Sequence, residues 1–198
     1  MMALVHAAPS TLERYRRENL GVLSSPRRFY TDVEGWRWAA DNDAFSKWDA
    51  SRYLAMLEAM RDLPPPLFVT APDVVGNAAE TLMLFRLWLP RLRGFPVALV
   101  TQDGLRAEDV PWSDLSALFI GGSDEWKMGE QNRELVQEAK ERGLWVHMGR
   151  VNGHQRIRYA KAIGCDSFDG TSMSWFKDRW LRNYLLHAGD GHVQEMFR

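Results

Sequence analysis

Three carboxylates and one carboxamide stand just after short apolar runs, where the strands of an α/β protein end: Asp41, Asp73, Asp169 and Gln102. Two carboxylates that face one substrate can act as nucleophile and as acid/base at the anomeric carbon of a sugar. A third carboxylate and an amide can read the edge of a purine, because a purine carries adjacent donors and acceptors. One such aspartate alone is commonly a helix N-cap. The prediction therefore depends on the set, with Asp41 and Asp169 as the chemical pair.

Four further residues follow predicted strand ends and suit a flat ligand. Gly121 and Gly122 would allow a ligand to approach the backbone closely. The pair is not a phosphate-binding fingerprint, because no third glycine or P-loop lysine follows at the required spacing. Phe45 and Met148 can sandwich a flat base between a ring and a thioether. A tight turn for the glycines, and core packing for the other two, are the alternatives.

Several other catalytic classes lack their residues in this chain. Cys165 is the one cysteine, so neither an internal disulfide nor a cysteine-based zinc site can form. The five histidines show no convincing metal-ligand spacing beside a carboxylate, so no metal and no cofactor are expected. The Gly-x-Ser-x-Gly motif of a serine nucleophile is also missing.

Short apolar runs that alternate with amphipathic helical patterns must position these residues. The predicted strands are 35–40, 67–70, 97–100, 117–120, 144–148 and 165–168, and the predicted helices are 50–63, 77–92, 130–142 and 155–163. This alternation predicts a parallel sheet covered by helices, with the carboxyl ends of all strands on one face. At about 25 residues per unit, the 198 residues barely supply eight units. We therefore expect a single α/β domain over residues 1–198, a compact or incomplete (β/α)8 TIM-type barrel, with an open sheet as the second choice.

The composition is that of a globular protein, with 45% hydrophobic and 26% charged residues. The formal net charge is −1, so charge alone does not indicate nucleic acid, although a local basic patch stays open. Residues 1–8 lack the basic region and long apolar core of a signal peptide. No run approaches 18 apolar residues, so no membrane partner is expected. The single cysteine fits a reducing cytoplasm.

Six segments, in the same order along the chain, resemble segments of the tRNA-guanine transglycosylases. Residues 163–169, Ile-Gly-Cys-Asp-Ser-Phe-Asp, are similar to the family's nucleophile segment, in which an aspartate follows a phenylalanine. The other matches are Asp41–Ser46 with the Asp-Ser-Gly-Gly-Tyr/Phe-Gln segment, Asp73 with the base-recognising aspartate, Gln102 with the glutamine of the Val-Gln-Gly-Gly strand end, Ile120–Gly122 with the Ile-Gly-Gly-Leu loop, and His147–Gly149 with the Leu-Met-Gly segment. The resemblance covers roughly residues 41–169.

The resemblance implies a (β/α)8-type barrel and a base-exchange reaction that needs no cofactor. Asp169 would attack C1′ of a guanine nucleotide and expel guanine, leaving a covalent glycosyl-enzyme. A 7-deazaguanine base, such as 7-cyano-7-deazaguanine, would then attack the same carbon with Asp41 as its general base. The resemblance assigns the edge of the base to Asp73, Gln102, Gly121 and Gly122, and its faces to Phe45 and Met148.

The departures from the family fall largely on the parts that bind tRNA. A single cysteine excludes the family's Cys-rich zinc subdomain, and Gly170–Met173 stands in place of its Pro-Thr-Arg run. Ser46 replaces a glutamine, and Asp43 replaces a glycine. Without these parts, the protein resembles the shortened phage and bacterial relatives that insert 7-deazaguanines into DNA (the DpdA group). DNA in a bacterial or phage-infected cytoplasm is therefore the expected polymer.

A base inside a duplex must leave the stack before C1′ can be attacked, and this requires contacts to the backbone phosphates. The candidate phosphate contacts are Arg14, Arg16, Arg17, Arg27, Arg28, Arg150, Arg156, Arg158, Lys177, Arg179 and Arg182. Trp175, Phe176 and Trp180 are interleaved with the last group and could stack on bases. The alternatives are a transglycosylase acting on tRNA, a nucleoside glycosidase in which water replaces the incoming base, a non-catalytic base-binding module, and an unrelated barrel enzyme.

Overall fold

The protein forms a closed barrel of eight parallel strands in the computed structural model, which describes residues 1–13 and 19–170. The strands are β1 (Met2–Val5), β2 (Leu20–Ser24), β3 (Trp38–Ala40), β4 (Val69–Thr70), β5 (Val97–Thr101), β6 (Ala117–Ile120), β7 (Trp145–Met148) and β8 (Ser167–Phe168). Each strand pairs with the next in sequence, and β8 closes the barrel on β1 through the pairs Met2–Ser167 and Ala3–Phe168. The predicted α/β barrel is confirmed, and the open sheet is wrong.

Two strands that the sequence did not predict complete the barrel. β1 lies in the apolar N-terminal segment, and β2 follows a stretch rich in arginine. With them the barrel is closed rather than incomplete. Short connections allow so few residues to complete eight strands. β2 leads to β3 without a helix, and β5 leads to β6 through the short 3-10 turns Ala107–Asp109 and Trp112–Asp114.

Seven helices connect or flank the strands within the described part of the chain. They are α1 (Pro9–Leu12), α2 (Ala44–Lys47), α3 (Ala50–Ala59), α4 (Ala78–Trp88), α5 (Asp124–Met128), α6 (Glu130–Glu141) and α7 (His154–Ala162). Side-chain caps begin three of them. Asp49, Asn77 and Ser123 accept hydrogen bonds from backbone amides in the first turns of α3, α4 and α5. None of the helices in residues 1–13 and 19–170 combines the length and the apolar character that crossing a bilayer requires.

Side chains along each strand alternate between two apolar layers, because successive residues of a strand point to opposite faces. Alternate strand residues pack inside the barrel, in a cluster that includes Leu4, Ala39, Phe68, Val100 and Phe119. The intervening residues pack outward against the helices, in a larger cluster that includes Val5, Ala40, Leu99, Ile120 and Phe168. A residue two positions beyond the last inward side chain of a strand therefore points into the mouth of the barrel.

Candidate active site

The carboxyl ends of the strands surround one cavity, as parallel barrels generally arrange. The cavity has a volume of about 70 Å³ and is open to solvent. It is lined by Asp41, Asn42, Phe45, Asp73, Val75, Val100, Gln102, Phe119, Ile120, Gly121, Gly122, Gly149, Arg150 and Asp169. All of the predicted catalytic residues, and all of the predicted base-binding residues except Met148, line this cavity.

Asp41 is a carboxyl held in an environment that favours its protonated form. Burial, and then the negative charges of Asp169, Asp73 and Asp43, raise the pKa of Asp41 to about 8. A backbone hydrogen bond from Asp43 acts in the opposite direction and is outweighed. Asp41 therefore carries a proton near neutral pH and can give it to a group in the cavity.

Asp73 is tied to two amides at the ends of neighbouring strands. Asn42 Nδ2 donates to Asp73 Oδ1 over 2.8 Å and to the carbonyl of Ala71 over 2.7 Å. Gln102 Nε2 donates to Asp73 Oδ2 over 2.6 Å. Burial raises the pKa of Asp73, while the two amide hydrogen bonds lower it in part. The carboxyl is therefore fixed in one orientation, and each of its oxygens keeps a lone pair for a ligand.

The carboxamide of Gln102 has a fixed orientation. Its Oε1 accepts a hydrogen bond of 2.8 Å from the amide of Gly76, while its Nε2 faces Asp73. A flipped amide would place two donors, or two acceptors, against each other. One N–H of Nε2 therefore remains to donate into the cavity beside the acceptor oxygens of Asp73.

Asp169 is a carboxyl held in an environment that favours its ionised form. Its Oδ2 lies 3.0 Å from His147 Nε2, and its Oδ1 accepts a hydrogen bond of 3.1 Å from the amide of Arg150. Burial acts to raise the pKa of Asp169. The hydrogen bond and charge of His147, the charge of His6 and the amide of Arg150 outweigh burial, so the pKa lies below its usual range. Asp169 is therefore ionised at neutral pH.

Arg150 forms part of the roof of the cavity. Its guanidinium lies 4.1 Å from the centre of the Phe45 ring and donates over 2.5 Å to the carbonyl of Gly122. Its backbone is in the left-handed region, with φ 56°, which is uncommon for a residue with a side chain. This conformation turns the amide toward Asp169 and the side chain back over the mouth. Phe45 is 62% exposed on the other side.

The glycines at the ends of β6 and β7 are required by the protein's own packing. A Cβ on Gly121 would meet Val100 Cγ1 at 2.6 Å and the carbonyl of Thr101 at 2.7 Å. Gly122 has φ 79°, which favours glycine. A Cβ on Gly149 would lie 2.6 Å from the ring of Phe119. The close approach that the sequence suggested is therefore made by neighbouring strands, and it leaves backbone groups at the cavity wall.

Met148 does not reach the cavity, so its predicted role as a stacking residue is wrong. It is 2% exposed and packs in the layer between the barrel and the helices. The cause is the alternation along β7, which points His147 inward and Met148 outward. The ring of His147 lies 4.6 Å from that of Phe119 and 5.1 Å from that of Phe68, inside the barrel.

The predicted phosphate contacts fall into three groups. Arg28 and Arg158 are exposed, while Arg27 pairs with Asp43 and Arg156 pairs with Asp124. Arg150 belongs to the cavity itself. The other cations, and the three aromatic residues near them, lie outside the described residues: Arg14, Arg16, Arg17, Lys177, Arg179, Arg182, Trp175, Phe176 and Trp180.

Three site residues were missed in the sequence. Asn42 stands between two aspartates and shows its role only through its contact with Asp73, 31 positions away. His6 follows β1, a strand that was not predicted, and its charge reaches Asp169. His147 stands two positions before Gly149 on an inward face, and this parity is a signal that could have identified it. No group of three or more His, Cys, Asp or Glu side chains arranged to hold a metal occurs in the described ranges.

Comparisons with known proteins do not identify a family for this chain. No protein-family model and no curated protein matches it. Among solved structures, it is similar to a PaMucR phosphodiesterase in complex with c-di-GMP, with a TM-score of 0.40 and 15% sequence identity. The match covers 71% of this chain and 61% of the phosphodiesterase chain, which is less than two thirds of that protein. A TM-score this low supports no inference about fold or function.

Proposed function

We propose that this protein is a base-exchange transglycosylase that replaces guanine in DNA with a 7-deazaguanine derivative through a covalent glycosyl intermediate on Asp169. The proposal rests on two carboxyls at one cavity whose pKa values are shifted in opposite directions. The pKa of Asp41 is raised to about 8, and the pKa of Asp169 is lowered. A pair of titratable groups driven apart in this way suits an acid and a nucleophile.

In the first step, the ionised Asp169 attacks C1′ of the nucleotide. The bond between C1′ and the guanine nitrogen breaks, and the guanine leaves with its electron pair and a proton from Asp41. The products are a glycosyl ester on Asp169, neutral guanine and an ionised Asp41. The charge lost at Asp169 reappears at Asp41, so the cavity keeps its net charge.

In the second step, the 7-deazaguanine base takes the place of guanine. Asp41 removes the proton from the ring nitrogen that will bear the sugar, and this nitrogen attacks C1′. The ester bond breaks and Asp169 leaves as a carboxylate. Both carboxyls have then returned to their starting states, with no metal or redox partner in the balance.

The edge of guanine matches the fixed pattern of Asp73 and Gln102. Guanine presents one carbonyl acceptor next to two donors, N1–H and the 2-amino group. Asp73 offers acceptor oxygens, and Gln102 offers the remaining N–H that its bond from Gly76 orients. Adenine presents a 6-amino donor where guanine has its carbonyl, so it would set a donor against Gln102. The pattern favours guanine and the 7-deazaguanines, which share this edge.

The order of strands supports a polynucleotide as the substrate. The base-reading groups lie at the ends of β3 to β5 and Asp169 lies at the end of β8, and in the proposed binding mode the phosphates beside C1′ pass over β1 and β2. Arg27, which pairs with Asp43, and the exposed Arg28 lie there, and both arginine charges help to lower the pKa of His6. Cations at this point suit a phosphate backbone.

Labelled substrates test the proposal. The protein is incubated with DNA, tRNA and nucleoside carrying labelled guanine, with and without 7-cyano-7-deazaguanine. Guanine released from DNA only when the deazabase is present is the expected result. Release without the deazabase would indicate a glycosidase that uses water. Release from tRNA alone would show that the substrate is tRNA rather than DNA. Retained base binding without any release would leave a binding module and overturn the proposal.

A further inference from the structure

A buried chain of four side chains ends on Asp169. Trp145 Nε1 donates to Ser167 Oγ over 2.8 Å, Ser167 Oγ lies 2.8 Å from His147 Nδ1, and His147 Nε2 lies 3.0 Å from Asp169 Oδ2. His147 is 0% exposed, whereas the Asp169 side chain is 15% exposed. The imidazole packs against the rings of Phe68 and Phe119, which also contact each other and restrict its rotation. Neither Trp145, Ser167 nor His147 lines the cavity.

The chemistry of the two ends, Trp145 and Asp169, sets the direction of this chain. An indole N–H is a donor only, so Ser167 Oγ must accept from it. The one proton of the Ser167 hydroxyl is then free to donate to His147 Nδ1. Because an ionised Asp169 can only accept, His147 carries a proton on Nε2 and directs it at Asp169, and Nδ1 of a neutral imidazole then accepts from Ser167.

We propose that His147 is a positioning residue for Asp169, with Ser167 and Trp145 holding the imidazole so that its Nε2–H always faces one carboxylate oxygen. The inference rests on the proposed function for its chemical meaning, because it treats Asp169 as the nucleophile. His147 does not touch the substrate and acts only through Asp169.

The hydrogen-bonded chain from Trp145 to Asp169 acts in both steps of the base exchange. Oδ2 is held by His147 and Oδ1 by the amide of Arg150, so the carboxylate cannot rotate away from C1′. When the glycosyl ester breaks, negative charge returns to Asp169, and the hydrogen bond from His147 strengthens as this charge develops. A donor aimed at developing charge lowers the barrier for that step.

Other charged or hydrogen-bonding groups also act on Asp169 and must be held constant in a test. His6 approaches from the end of β1, Asp41 from the end of β3, and the backbone amide of Arg150 from the end of β7. Their identities do not change in variants of His147. A shift in the titration of Asp169 in such a variant therefore reports the missing imidazole.

Three variants separate positioning from packing. His147→Leu removes the donor and keeps an apolar side chain in the barrel, while His147→Gln restores an N–H near the position of Nε2. Phe68→Leu is the matched control, because it disturbs the ring that packs on His147 without removing the hydrogen bond. Each full-length variant is assayed for kcat and KM across pH, and the Asp169 carboxyl is titrated by ¹³C NMR.

We expect His147→Leu to lower kcat on the order of 100-fold, with KM for the incoming base nearly unchanged. The acid limb of the rate profile and the titration of Asp169 should both move to higher pH. His147→Gln should recover most of the loss, and Phe68→Leu should leave the acid limb in place. An Asp169 titration that is the same in His147→Leu and wild type would overturn the proposal. A shifted titration in a protein without exchange activity would overturn the proposed function and leave the positioning role standing.

Discussion

Two walls of the cavity hold their acids by different means. The β3–β5 wall consists of Asp41, Asn42, Asp73 and Gln102, and the amides of Asn42 and Gln102 hold Asp73 at the cavity surface. The β7–β8 wall, made of Arg150 and Asp169, is held from inside the barrel by the hydrogen-bonded chain through Ser167 and His147. The first wall crowds negative charge and raises the pKa of Asp41, whereas the second supplies donors and lowers the pKa of Asp169.

Asp41 and Asp169 differ in role, but the distance between their strands is not the cause. Both are largely buried at the same mouth, and burial alone raises the pKa of each. The difference is the number of donors within reach. Asp169 has an imidazole and an amide, while the further charges that act on Asp41 are all negative. The four changes below test that division of labour.

Replacing Asp169, the carboxylate of the β7–β8 wall, should have the largest effect on activity. Asp169→Asn leaves no oxygen nucleophile, so we expect guanine release to fall by about 10⁴-fold or more, while the affinity for the base changes little. Single-turnover release of labelled guanine and equilibrium binding of the base measure the two quantities. Asp166→Asn is the control, because Asp166 pairs with Lys140 at the other end of β8. Normal turnover by Asp169→Asn would show that the nucleophile is elsewhere.

Removing the proton carrier of the β3–β5 wall should have the next largest effect and should change the pH profile. Because the pKa of Asp41 is raised to about 8, the wild-type rate should fall above that pH as the acid is lost. The rate should also fall in acid, once Asp169 takes up a proton. Asp41→Asn should lower kcat by about 10²- to 10⁴-fold and remove the alkaline limb.

The matched control for Asp41 is Asp49→Asn. Asp49 caps α3, and asparagine caps helices equally well, so both limbs should stay in place. An alkaline limb that persists in Asp41→Asn would assign the proton carrier to another group.

The base-reading part of the β3–β5 wall should govern affinity rather than rate. Gln102→Ala leaves an oxygen of Asp73 and the amide of Gly76 without their partner and removes the N–H that faces the guanine carbonyl. We expect the affinity for guanine to fall about 10- to 100-fold, which is about 1–3 kcal/mol. Gln137→Ala, a surface amide paired with Glu141 on α6, is the control. Isothermal titration with guanine and adenine measures the effect, and unchanged discrimination between them would remove Gln102 from recognition.

Six of the eight strands were predictable because short, mainly apolar runs alternate with helical patterns along the chain. β1 and β2 were not predicted, since Met2–Val5 is only four residues at the N-terminus and Leu20–Ser24 follows a charged stretch. Apolarity identifies a strand, but it does not show which strands meet. The closure of β8 on β1 depends on pairing between residues more than 160 positions apart.

Site residues were predictable where the type of side chain and its place after a strand coincided, as for Asp41 and Asp169. Contacts such as that between Asn42 and Asp73 were not, because a single sequence does not indicate which polar groups of distant segments meet. Met148 was proposed from its place at the end of a predicted strand and again from the resemblance, and both neglected the parity of β7. Val146 and Met148 pack outward together, so His147 must point inward.

Exchanging the outward residue of β7 should have the smallest effect and tests this parity directly. Met148→Leu keeps the volume of a side chain in the helix-facing layer, so stability should change by less than about 1.5 kcal/mol. Base affinity and kcat should stay near wild type, because the side chain does not reach the cavity. Urea unfolding and base titration measure the two quantities. Gly149→Ala, one position along, is the informative partner, since its Cβ would press on the Phe119 ring at the cavity wall and should impair base binding. If Met148→Leu weakened base binding more than Gly149→Ala, the inward face of β7 would have been assigned incorrectly, and the chain from His147 to Asp169 would lose its geometric basis.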